Sequence, residues 1–367
     1  MTHRIGIDRG RPLAEQPEIG HNRWHPDLEP VLTVAPGETL VMETKDAMDG
    51  QITSETSVAD LERIDRNVAH PLTGPVAVAG AEPGDMLAVI IDHVEAQPFG
   101  WTANNPGFGF LRDHFEERGL TRWSIAGGFA TSEDIPGVRI PGAPFMGVMG
   151  VAPSRELQQA ILAREAELLE RGGLVKPPDT QSAVPESIGV DGLRTGPPRE
   201  NAGNVDIRHL VAGTTVFIPV YQPGALFSAG DAHFAQGDGE VCGTGIEMGA
   251  TLTVRFEVLK GGAEGKKDLS FQWKGDGPPP GLNLPGRYHA TTGVCVHPDG
   301  RNESEDATLA ARNALLNMID YIEQEHGLNR QQAYHLCSVA VNLKLSQVVD
   351  LPNILVTALL PLDIFTD

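Results

Sequence analysis

The chain has 367 residues, 40% of them apolar, which is enough for two or three sub-domains around a sizeable core. Its 28 basic against 49 acidic residues leave a formal net charge of −21, which repels nucleic acid and anionic membranes and suits a neutral or cationic small partner. Cys242, Cys295 and Cys337 are too few and too scattered for a disulfide framework or a zinc finger, and no apolar run is long enough to span a bilayer.

The first stretch, MTHRIGIDRGRPLAEQPEIG, has neither an apolar signal core nor an Arg/Ser-rich transit pattern, so a soluble cytoplasmic protein in a reducing compartment is expected. In HNRWHPD (21–27), His21 and His25 stand four apart beside Trp24 and Asp27. They read either as a structural pair or as metal ligands, although Pro26 argues against a helix there. VLTVAPGETLVMET (31–44) and GPVAVAGAEPGDMLAVIIDHV (74–94) alternate around Pro-Gly turns and predict short strands. HLVAGTTVFIPVY (209–221) repeats the shape, so the three stretches read as an internal repeat of sandwich hairpins. Between them, GWTANNPGFGFLRDHF (100–115) is a glycine-aromatic-amide loop. It either walls a small pocket with Trp101, Asn104, Asn105 and Phe108 or lies on the surface.

A helix is predicted from the cap Ser154 through Leu157, Ile161 and Leu168 to Gly172-Gly173. Residues 176–204 are too rich in Pro, Gly and Ser for a regular element, and so form a lid, a binding loop or a disordered linker. FQWKGDGPPPGLNLPGR (271–287) is a second break of that kind. Helices follow over 305–327, with Leu309, Leu316, Ile319 and Ile322 on one stripe and His326-Gly327 as the stop, and over 329–341. LPNILVTALLPLDIF (351–365) has a buried-strand pattern broken by prolines.

The expected fold class is therefore mainly β (α+β): a β-sandwich or barrel-like core with a smaller C-terminal α+β unit. Four segments follow: a β-rich part over 1–150, a helix and long loop over 151–204, a central β-rich part with the acidic site over 205–270, and an α+β part over 271–367.

The chemistry concentrates in SAGDAHFAQGDGEVCGTGIEMG (228–249), which holds Asp231, His233, Asp238, Glu240 and Glu247 without a lysine or arginine. If 226–234 continues the strand from Val216, Asp231 and His233 point to one face and make a chelating pair; in isolation the same pair reads as a hydrogen-bonded structural couple. Asp238-Gly239-Glu240 repeats the offset, and GNVDIRH upstream offers Asp206 and His209. Carboxylates crowded without cationic partners repel one another, take up protons or bind a cation. GDGE also reads as a polar hairpin turn with solvated acids. Cys242, two residues beyond Glu240, is either a nucleophile or, among small apolar neighbours, an inert buried thiol. No G-x-S-x-G elbow, H-E-x-x-H or phosphate loop occurs.

The order of blocks HNRWHPDLEPVLTVAPGETL, KDAMDGQIT, HPLTGPVAVAGAEPGDML, PFMGVMGVAPS, GNVD, GDAH, GDGE and SQVVDLPNILVTALLPLDIF resembles the acetamidase/formamidase family along nearly the whole chain. Its most recognisable elements fall on Asn204, Asp206, Asp231, His233, Asp238, Glu240 and Glu247, and His209 matches none of them. The resemblance implies an oligomeric amide hydrolase of β-sandwich type that takes a small amide substrate and a divalent metal, zinc. On that reading Asp231, His233 and Glu247 are ligands, and Asp206 is a ligand or orients one. Glu240 is the base with Asp238 beside it in the catalytic turn, while Asn204, Trp101 and Asn105 meet the substrate. A Cys242-nucleophile amidase and a non-enzymatic sandwich that binds a small ligand are the alternatives.

Overall fold

ATLTVRFEVL buries alternate residues, so Leu252, Val254 and Phe256 face a core from the strand Ala250–Leu259. In the computed structural model, which describes residues 1–264, 271–275, 286–349 and 352–366, that strand lies between Thr39–Thr44 and Met86–Ala96. Thr2–Ile5, Thr214–Pro219 and Gln272–Gly275 complete a six-stranded sheet among the described residues. A second sheet of eleven described strands runs through Gly119–Ala126, Phe99–Asn104, Glu247–Met248, Phe227–His233, Phe145–Val151 and Ala202–Asn204, with Leu72–Val78 also on Phe227–His233. The two share one core, and Phe227 meets Phe256 edge to face at 5.1 Å. Neither sheet closes on itself, so the architecture is a sandwich rather than a barrel.

The hairpin repeat is corrected by the pairing. Leu32–Val34 pairs with Leu72–Val78 in the larger sheet, whereas Thr39–Thr44 enters the smaller one. The Pro-Gly turn at 36–37 therefore carries the chain across the sandwich. Leu72–Val78 and Met86–Ala96 divide in the same way, as do Val211, bridged to Phe145, and Thr214–Pro219. Each stretch is a crossover between sheets. Strands of 1–150 and of 205–264 thus interleave in both.

Helix α1, Arg155–Glu170, starts where the Ser154 hydroxyl accepts from Leu157 N, and Gly172 follows it at φ 82°. Ile161 is buried but Leu168 is exposed, so only its first half packs. The 176–204 segment is an ordered strap. Leu193–Arg194 pairs with Arg23–Trp24, Ala202–Asn204 with Val148–Gly150, and Arg23 donates to the carbonyls of Asp179 and Gln181.

Helix α2, Ala307–His326, is capped by Asp306 and stopped by Gly327 at φ 67°; α3, Arg330–Ala340, carries an Asn329–Gln332 capping box. The buried stripe of α2 is Ala310, Ala314, Leu315, Met318, Ile319 and Ile322, so Leu309 and Leu316 lie at its margin. It covers a three-stranded sheet of Tyr288–Val294, Leu355–Pro361 and Asn342–Gln347. Most of the 271–287 break, and the first residue of 351–365, lie outside the described residues.

Candidate functional site

All seven residues of Phe227–His233 are buried, which the small side chains Ser228, Ala229, Gly230 and Ala232 permit between three neighbouring strands. This strand does not continue from Val216, which lies in the other sheet. At its end His233 stands opposite Phe145 on one side and Glu247 on the other, and Glu247 stands opposite Trp101. Directly opposed residues share a face, so Phe145, His233, Glu247 and Trp101 form one cross-strand row. Phe145 meets the His233 ring edge to face at 5.1 Å.

Around that imidazole the acids gather. Nε2 lies 2.9 Å from Glu247 Oε1, 3.6 Å from Asp231 Oδ1 and 3.7 Å from Glu240 Oε1, and Nδ1 lies 3.9 Å from Asp206 Oδ1. Two donor groups result, Asp231–His233–Glu247 and Asp206–His233–Glu240, each with its ligand atoms within 4.8 Å of one another.

The backbone is bent to bring them there. Asp206, Asp231 and Glu240 have φ of 44°, 54° and 46°, the left-handed region that non-glycine residues seldom adopt and that clusters at functional sites. At Asp231 the turn breaks the strand alternation, and the pairing with Phe145–Val151 skips Gly147. A Cβ on Gly147 would lie 2.5 Å from Asp206 Oδ1 and 2.9 Å from the Asp231 carbonyl, so only glycine lets the two acids approach.

The electrostatics follow from burial. Burial pushes Glu247 and Glu240 up to about 8 each; His233 opposes both shifts and Asp231 adds to both. Asp206 is raised well above the ordinary carboxylate value by burial and then by Glu240. Burial works against charging His233, yet Glu247 and Asp231 outweigh it and raise its pKa. At Asp231 burial is outweighed by His70 and His233, which hold it below the ordinary value. Glu240 is therefore not a solvated acid of an exposed turn. Asp231 Oδ1, Asp206 Oδ1 and His233 Nδ1 are buried with no hydrogen-bond partner among the described residues. Oxygen and imidazole donors left without partners in a buried pocket, with no lysine or arginine paired to its acids among the described residues, fit a divalent ion.

The remaining candidates divide. Asp238 faces away to Lys344, whose Nζ donates at 3.2 Å. Asn204 donates to Gly196 O at 2.9 Å, and its Oδ1 has no partner among the described residues. Trp101 packs on Ala47, Ile52 and Leu61 beside Glu247, whereas Asn105 accepts from Arg66 at 2.5 Å. Asn104 is held by His335, and Phe108 is exposed over Gly243. Burial pushes the Cys242 thiol up to about 11, and its S–H faces the Thr244 carbonyl at 3.6 Å, the setting of an inert thiol. His21 and His25 are no ligand pair: His21 holds Ser228 Oγ at 2.8 Å, and His25 holds Asp191 at 3.0 Å.

Sequence reasoning missed His70 and Gly147. His70 Nε2 lies 3.9 Å from Asp231 Oδ2, its Nδ1 is buried without a partner among the described residues, and its backbone N–H donates to Thr195 Oγ1 at 2.5 Å on the 176–204 strap. A histidine between Ala69 and Pro71 carries no spacing signal, so only the fold reveals it.

A family model described as acetamidase/formamidase matches residues 6–367. A formamidase of Methylophilus methylotrophus is 35% identical over 387 residues, spanning 98% of this chain and 93% of that protein. An acetamidase of Mycolicibacterium smegmatis is 36% identical over 368 residues, 90% of this chain and 87% of its own. Among solved structures, a gamma lactamase from Delftia acidovorans superposes with a TM-score of 0.93 at 35% identity, over 100% of this chain and 93% of that one.

Proposed function

Since the chain belongs to the acetamidase/formamidase family and is an amidase, we propose that it hydrolyses the C–N bond of a short-chain amide, of the formamide or acetamide type, to carboxylate and ammonia. Asp231, His233 and Glu247 hold a divalent cation, zinc, with Asp206 as a further ligand or as the group that orients His233. The observation that carries this reading is the set of buried, unpartnered donor atoms on Asp231, His233 and Asp206 around one imidazole.

When bound, the cation supplies Lewis acidity, which polarises an amide carbonyl and eases deprotonation of water. The Glu240 carboxylate takes the proton of the attacking water and returns it to the amide nitrogen, which leaves as ammonia. Asp238, tied to Lys344, steadies the turn that carries Glu240. Asn204 Oδ1, which has no partner among the described residues, accepts from the substrate N–H. Trp101, opposite Glu247, walls the site, and Asn105, held by Arg66, is the further substrate contact of this reading.

A cyclic amide is the second reading, favoured by the 0.93 TM-score to the gamma lactamase. No described helix is long and apolar enough to cross a membrane. Three free cysteines support a cytoplasmic setting, and exposed Leu345 and Val349 offer apolar surface for a homo-oligomer. Ammonia release across formamide, acetamide and a γ-lactam, on protein assayed for bound metal before and after chelation, tests the reading. Full activity after complete metal removal ends the metal mechanism, and inertness toward every amide ends the substrate assignment.

A further inference from the structure

A second cavity, of about 310 Å³, lies where the C-terminal unit meets the sandwich, between the end of α2, the loop at Gly137 and the last described residues. Thr366 N donates to Gly137 O at 2.8 Å, and Val138 bridges Phe365, so the seam is fixed by backbone pairing. Its wall is an aromatic ladder. His326 stacks on Phe365 at 3.5 Å with 4° between planes and meets Tyr321 edge-on at 5.7 Å; Tyr321 is backed, outside the cavity lining, by His289 stacked at 3.4 Å. His326 Nε2 is buried and has no hydrogen-bond partner among the described residues. At the rim the Arg287 side chain is 77% exposed and touches Asp363 through Nε at 3.5 Å, and among the described residues its terminal nitrogens make no hydrogen bond.

We propose that this cavity is a binding site, separate from the acidic centre, for a small planar aromatic carboxylate. Flat rings favour a flat ligand through offset or edge contacts. An imidazole nitrogen without a partner in a recess stands for a hydrogen bond that a ligand completes. A guanidinium with two free nitrogens recognises a carboxylate in bidentate fashion. The volume is at the small end of ligand pockets, which limits the occupant to about one ring with its acid group.

Benzoate is the probe, with benzyl alcohol and cyclohexanecarboxylate as controls for charge and planarity, titrated into the full chain by calorimetry and followed by the His326 ring resonances. Saturable binding is expected, tighter than either control by roughly 10-fold, with the His326 signals shifting. His326→Phe keeps the stack and removes the nitrogen, and Arg287→Gln removes the cation. Each should weaken benzoate by about 10-fold while amide hydrolysis is unchanged. Binding should persist in Glu240→Gln, which separates this cavity from the amidase centre. Absence of saturable binding overturns the proposal. So does binding that survives both substitutions, or that disappears only in Glu240→Gln.

Discussion

His233 Nε2 and Glu247 Oε1 lie 2.9 Å apart across two antiparallel strands that pair these residues directly. Glu247 Oε1 also accepts from Gly245 N at 2.8 Å, so its position is fixed before any cation arrives. Glu247→Gln keeps that shape and removes the charge. Cation affinity should fall at least as far as the 10–100-fold typical of losing an outer-shell partner, by roughly 10-fold or more in a competition titration. Unaltered affinity would take Glu247 off the ligand set.

Glu240 divides catalysis from scaffolding. Glu240→Gln retains size and hydrogen bonding but cannot take a proton, so turnover should drop on the order of 10²–10⁴-fold while metal content and melting temperature hold. Near-normal turnover removes it from the mechanism; a joint loss of metal and activity makes it a ligand.

Cys242→Ala should leave turnover within roughly 3-fold of the parent, because a thiol pushed up to about 11 is not a thiolate at neutral pH. An inactive variant that still folds and still binds metal restores the nucleophile reading.

Gly147→Ala puts a methyl 2.5 Å from Asp206 Oδ1 and 2.9 Å from His233 Cε1. The clash should lower stability by about 1–3 kcal/mol, and activity should fall further than that loss explains, since Asp206 and the His233 imidazole are displaced. Denaturant melts alongside ammonia release check it, and parity with the parent on both would show that the strands have room to part.

Acid sensitivity has a defined source away from the centre. His21 and His335 are buried, and burial lowers each to about 4. The folded state then binds fewer protons than the unfolded chain between that value and the ordinary 6.5, so this stability is full above 6.5 and is lost as pH falls toward 4. His335 is held between Thr121 and Asn104, at 2.8 and 2.9 Å. In metal-loaded protein, His335→Gln should flatten the decline of melting temperature across that window. An unchanged slope would mean that the imidazole is already charged in the folded state.

How much of this the sequence carries depends on where each residue's partners lie along the chain. Asp231, His233, Glu240 and Glu247 converge as their crowding without cations suggests, because one strand and its return loop hold all four. Asp206 joins them by lying across Gly147, a contact between strands far apart in sequence. His70 arrives from a third segment with no motif of its own. Alternation around Pro-Gly turns identifies strands at 31–44 and 74–94 but is silent on which sheet each joins, and so the hairpins turn out to be crossovers. Asp238 shares its turn with Glu240 yet meets Lys344, because the chain turns between them through Gly239 at φ 88° and Glu240 at φ 46°.

Those crossovers make the sandwich indivisible. A break anywhere between residues 45 and 213 leaves Thr39–Thr44 and Gly20–His21 on one fragment and Thr214–Pro219 and Phe227–His233 on the other, so each sheet is cut at the same stroke. No contiguous half owns a closed core, and the fragments can only complement each other, as two strips of a woven fabric do. The acidic centre takes Asp231, His233, Glu240 and Glu247 from beyond residue 213 but Asp206, Gly147 and His70 from before it, which ties its assembly to that of the whole weave.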